Sequence, residues 1–93
     1  MNEITTKQVG VITEKTMTIS AEQFAQIKTS LEVIEDDFDF MGLHYDLKPL
    51  AVSWDTRIEA MIRNGARKLA AGGTLKPRTA ALAQINSVLH IVS

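Results

Sequence analysis

The chain has 93 residues, 45% hydrophobic, 23% charged and only 5% aromatic, a composition that excludes intrinsic disorder and fits a single small domain, 1–93. It has no cysteine, which rules out disulfides, thiolate metal sites and a thiol nucleophile and accords with a reducing cytoplasm. No apolar run approaches the roughly 18–20 residues of a membrane span, and Met1 to Lys7 lack a basic start and apolar core, so a cytoplasmic protein with no membrane partner is expected.

The net charge of −1 conceals a division. Residues 1–55 carry ten acids against four lysines, whereas 56–93 carry six basic groups against Glu59 alone. Such asymmetry marks either binding faces or two halves that neutralise each other on packing. Residues 79–93 carry no formal charge apart from protonation of His90.

Residues 8–19 read as a β-hairpin. Val9, Val11 and Thr13 alternate with their neighbours, as do Met17 and Ile19, with Glu14-Lys15 at the turn. Ser20-Ala21-Glu22-Gln23 is a capping-box pattern that opens a helix over 20–41. Its apolar positions, Phe24, Ile27, Leu31, Ile34, Phe38 and Met41, are spaced 3-4-3-4-3, the seam of a helix packed on another helix, and Gly42 ends the run. Leu43, Tyr45 and Leu47 alternate with His44, Asp46 and Lys48, which predicts a short strand over 43–48, stopped by Pro49. It is placed to join the hairpin as a third strand.

A second helix is expected over 53–71, with Trp54, Ile58, Met61, Ile62 and Leu69 on one face. Gly65 and Ala66 supply small surfaces for a neighbouring helix, and Asn64-Gly65 is a weak point where this one can kink. Gly72-Gly73 ends it. Pro77 suits the first position of a third helix over 77–92, in which Leu82, Ile85, Leu89 and Val92 again form an apolar seam. The expected fold class is mainly α with a small β element (α+β), a three-helix bundle preceded by an N-terminal β-hairpin.

Motifs that carry catalysis or metal binding fail on their spacing. With Asp37 as position 1 of a calcium loop, Asp39 and Gly42 fall at positions 3 and 6. Met41 then occupies position 5 and Lys48 the closing position, where a bidentate glutamate belongs. His44 and His90 have no metal-ligand spacing, and Gly72-Gly73-Thr74-Leu75-Lys76 lacks that of a phosphate loop. There is no nucleophile elbow. No metal, no cofactor and no enzymatic activity are expected.

Two charged groups remain. Glu32, Glu35, Asp36, Asp37 and Asp39 gather at the end of the first helix, where acids oppose the macrodipole, with Phe40 among them as an apolar anchor. Arg57, Arg63, Arg67, Lys68, Lys76 and Arg78 form a basic set suited to phosphates. A helix, a short glycine-containing connection and a helix also outline a helix-turn-helix. Only Arg78, Gln84, Asn86 and Ser87 would be available to bases there, and the connection is long for that motif.

The functional expectation is a non-enzymatic regulator or inhibitor, of the kind phages and mobile elements encode, that occludes a protein partner through its acidic face. The alternative is a nucleic-acid-associated protein contacting phosphates through the second helix. The uncharged stretch from Ala80 to Ser93 also predicts a homodimer through Leu82, Ile85, Leu89 and Val92.

Overall fold

The computed structural model describes residues 4–10 and 12–92. The elements run β1 (Ile4–Val9), β2 (Ile12–Thr18), α1 (Ala21–Val33), β3 (Leu43–Leu47), β4 (Leu50–Asp55), α2 (Thr56–Ala70) and α3 (Pro77–Leu89). The strands form one antiparallel sheet in the order β1-β2-β4-β3. This corrects the expected architecture: the molecule is a four-stranded sheet with three helices, not a helical bundle.

Four local features account for the difference. The first hairpin reverses between Val9 and Ile12, at Gly10, so Glu14 and Lys15 lie inside β2 rather than at a turn. Val11, one of the alternating positions, lies outside the described residues. β1 begins at Ile4, before the expected hairpin, and its residues 4–8 are all exposed, so no burial pattern marks it in the sequence. Pro49 does not end the sheet. It sits with Lys48 in the turn joining β3 to β4, across a cis peptide bond.

The sequence places Ser53, Trp54 and Asp55 of β4 at the start of the second helix, because Trp54 and Ile58 are one helical turn apart. Instead Val52 and Trp54 are buried and alternate with half-buried Ser53 and Asp55, the period of a strand. Asp55 closes the strand and caps α2, accepting the N–H groups of Arg57 (2.8 Å) and Ile58 (3.1 Å).

Cross-strand pairs share a face, which sorts the sheet into two sides. Met17, Val52 and Trp54 lie buried on the side that the helices cover, with Leu43 beside Trp54. The opposite side carries Thr5, Thr16, Ser53 and His44 in one row across all four strands, and Thr16 Oγ1 meets Ser53 Oγ at 3.0 Å. The protein therefore has two layers with one core.

α3 packs against both α1 and α2, while α2 lies near β2 and β4. Lys15 of β2 ties that side down by donating to both oxygens of Glu59 (2.9 and 2.8 Å). α2 runs unbroken through Gly65, where an added Cβ would lie 2.8 Å from Thr79 Cγ2; the absent side chain lets α3 approach closely.

α3 ends at Leu89 rather than at residue 92, with His90 in the left-handed region. Ile91 and Val92 remain buried beyond it, and the Val92 N–H donates to Asn86 Oδ1 at 2.9 Å. Leu82, Ile85, Leu89 and Val92 are all core residues of the single chain, at most 6% exposed. The apolar seam of α3 thus faces the core of its own chain, packed with α1 and α2, and these four side chains are not presented to a second copy. Ile85→Ala should destabilise the fold by about 2–4 kcal/mol in urea unfolding, the cost of a cavity at a closed site.

Candidate functional site

α1 stops at Val33, well short of Met41. Ser20 and Gln23 form a reciprocal capping box at its start, with bonds of 2.9 and 3.1 Å. At its end the Glu35 N–H donates to Glu32 O (3.1 Å) and the Asp36 N–H to Leu31 O (3.0 Å), while Glu35 takes φ +56°. This is a Schellman closure with glutamate in the position that usually holds glycine. Only Glu32 of this acidic group lies inside the last turn of α1, and Glu35 and Asp36 follow directly on its C-terminal end.

Residues 34–42 then fold into a compact turn. The Phe40 N–H donates to Asp37 Oδ1 at 2.8 Å, and the Met41 N–H contacts both Asp37 O and Phe38 O. Phe38 and Met41 are buried and plug the turn into the core. Phe38 stacks on Phe24 (5.4 Å between centroids) and meets Tyr45 at 4.7 Å. All six positions of the expected helical seam do face the core, with Phe24 and Ile34 partly buried. The last two reach it from a turn.

The turn presents Phe40 outward at 56% exposure. The Arg78 guanidinium, at the start of α3, lies 3.7 Å from the Phe40 ring centroid, and its Nε donates to Asp36 Oδ2 at 3.2 Å. Cation–π stacking and an ion pair thus hold one exposed ring in place. Glu35, Asp37 and Asp39 of the same turn are exposed, as is Glu32 in the last turn of α1. Asp39 Oδ1 is 3.7 Å from His44 Nδ1; among the described residues Glu32, Glu35 and Asp37 have no ion-pair partner.

The structure divides the basic set. Arg78 belongs to the acidic turn, and Arg57 folds back on Asp55 with Nη2···Oδ2 at 2.8 Å. Arg63, Arg67 and Lys68 are exposed on α2 and Lys76 on the N-cap of α3, with no ion pair among the described residues. Lys68 and Lys76 flank a shallow notch of about 300 Å³ with Asn64, Gly65 and Thr79 on its walls.

Of the potential base readers, Gln84 and Ser87 are exposed, whereas Asn86 is half-buried and holds the C-terminal tail. Arg78 as the turn's clamp was not visible in the sequence, since residues 36 and 78 share no motif. The opposite charges of the two segments were the one available sign.

The fold and this site define a two-layer protein presenting a clamped aromatic ring among carboxylates. Among the described residues no cluster of histidines and acids is arranged to hold a metal, and no helix is long and apolar enough to cross a membrane. Comparison with protein-family models, curated proteins and solved structures gave no match.

Two substitutions test this local physics. Glu35→Gly removes the strain of a left-handed glutamate and should raise stability by roughly 0.5–1 kcal/mol in urea unfolding. Asp55 is held below its usual 3.8, first by the Arg57 side chain and then by the Ile58 and Arg57 N–H groups, against the opposing effect of burial. Its folded-state pKa lies below the unfolded value, so the stabilisation is complete above about pH 5 and is lost as the pH falls through the folded-state pKa. Thermal melts should show Asp55→Asn, which keeps the cap, with a shallower acid limb than the parent. Asp55→Ala should lose about 1 kcal/mol at neutral pH.

Proposed function

We propose that the protein is a non-enzymatic regulator that occludes a basic surface on a protein partner with its 34–42 turn. The observation that carries this reading is Phe40, half exposed and clamped beneath Arg78, with exposed carboxylates in the same turn. An aromatic anchor held rigid before binding forfeits little rotamer entropy on docking, and the surrounding charge steers a basic partner toward it. Asp36 is not part of the contact surface in this reading. Its side chain is 16% exposed and is engaged with Arg78, leaving Glu35, Asp37 and Asp39 as the steering groups. The cytoplasm is the proposed setting.

The test is quantitative affinity capture with two baits, the parent and the variant Glu35→Gln/Asp37→Asn/Asp39→Asn/Phe40→Ala. All four side chains are exposed, and Asn at 37 keeps the acceptor for the Phe40 N–H, so the variant should melt close to the parent. A partner retained by the parent should bind the variant at least ~30-fold more weakly. Equal retention by both baits would remove the 34–42 turn as the binding surface.

One observation favours a second reading. Arg63, Arg67, Lys68 and Lys76 stand unpaired by acids among the described residues, which suits phosphate contact by the α2 side. It requires a mobility shift of DNA or RNA at low salt that is lost in Arg63→Ala/Arg67→Ala.

A further inference from the structure

β3 is an edge strand, and its outward main-chain groups can be assigned from the hydrogen-bond register. The Ile19 N–H donates to Leu50 O at 3.1 Å, so Leu50, Val52 and Trp54 direct their main-chain groups toward β2. By alternation Ala51 and Ser53 direct theirs toward β3, where they pair with Asp46 and His44. The main-chain groups of Leu43, Tyr45 and Leu47 therefore point away from the sheet. The Leu43 N–H agrees, since it donates to Phe38 O at 2.9 Å rather than to β4. Among the described residues no strand lies beyond β3.

The sequence of this edge, Leu43-His44-Tyr45-Asp46-Leu47, is complementary to its own reverse. Antiparallel pairing with a second copy about a two-fold axis at Tyr45 sets Leu43 opposite Leu47 and His44 opposite Asp46. Tyr45 faces Tyr45 of the second copy. Each Tyr45 then exchanges two main-chain bonds across the axis, and each Leu47 N–H faces Leu43 O of the other copy, whereas the Leu47 carbonyl meets a Leu43 N–H already held by Phe38 O, so that pair makes one bond of its two.

The side chains fit the same register. Tyr45 and Leu47 stand on the helix side, 46% and 69% exposed, and each copy would cover those of the other. On the opposite side, two His44–Asp46 pairs form across the axis, each imidazole, which lies 3.7 Å from Asp39 of its own chain, donating to a carboxylate of the other. The other edge lacks this match. β1 is Ile4-Thr5-Thr6-Lys7-Gln8-Val9; reversed on itself it sets Lys7 against Thr6, with no acid to receive it, and an edge lysine guards against pairing.

We propose that two copies of this chain associate through β3, joining two four-stranded sheets into one of eight strands. The interface replaces the one expected through α3, and it leaves the basic side of α2 outside the paired edge. A five-residue edge falls short of the contact area of stable interfaces, so association sets in at micromolar concentration or above.

Light scattering after size exclusion, from about 1 μM to about 1 mM, should show the mass rise from one chain to two. Exchange of the Tyr45 and Leu47 amides should slow over the same range. Because the chain has no cysteine, Tyr45→Cys supplies the only thiol; paired residues across the axis lie ~5.5 Å apart at Cα, within disulfide reach, so oxidation should yield a covalent dimer. The control Thr5→Cys, on β1, should not cross-link.

His44→Asp sets two carboxylates against each other and should weaken association roughly tenfold. His44→Asp/Asp46→His restores opposite partners and should recover most of that loss. Both positions are exposed, so a circular-dichroism melt separates any folding defect from an association defect. A single-chain mass at every concentration would overturn the proposal. So would a dimer in which the Tyr45 and Leu47 amides exchange freely and His44→Asp has no effect.

Discussion

The left-handed residue at Glu35 governs what the functional end of this molecule can be. Continued as a helix, residues 34–41 would carry Glu35, Asp36, Asp37 and Asp39 along the negative end of the α1 dipole. The reversal at Glu35 places them outside the helix and folds the chain back, so that Phe38 and Met41 enter the core. Phe40, two residues from Phe38, is left outside. Burial of the plug and exposure of the anchor are therefore two results of one turn, and the Arg78 clamp becomes possible because that turn lies against the start of α3.

Hydrophobic periodicity in this chain located the core more faithfully than it located secondary structure. Phe24, Ile27, Leu31, Ile34, Phe38 and Met41 all pack inward, yet the spacing of Phe38 and Met41 was kept by a compact turn with its own hydrogen bonds. Val92 behaves alike, buried beyond the end of α3. The strands were harder to read. β1 is exposed along residues 4–8 and has no alternation to detect, and β4 was masked by a tryptophan that also fits the face of the following helix. A short strand leading directly into a helix through its own cap, Asp55, offers no loop residues to separate the two.

Charge patterning proved informative about long-range contact. The acidic and basic segments do meet, through Asp36 and Arg78, but the contact neutralises only a small part of either set. Arg57 turns to its own helix cap, and Lys15, from the acidic half, pairs with Glu59, the only acid of the basic half. The molecule retains an exposed acidic turn and an exposed basic helix side. Charge remaining after folding, rather than charge counted along the chain, defines the surfaces available for recognition. The site was thus half legible: the acids and Phe40 were evident, while the clamp needed the fold.

Trp54 is the chain's single tryptophan, fully buried on β4 between the strands that carry Lys15 and Leu43, and its indole Nε1 has no hydrogen-bond partner among the described residues. An indole shielded from water and unbonded at nitrogen emits at short wavelength and moves to the red when solvent reaches it. The protein therefore carries an intrinsic fluorophore on an inner strand of its sheet, reporting on the packing of β4. Exposure of β4 to solvent is readable from the emission of this one side chain.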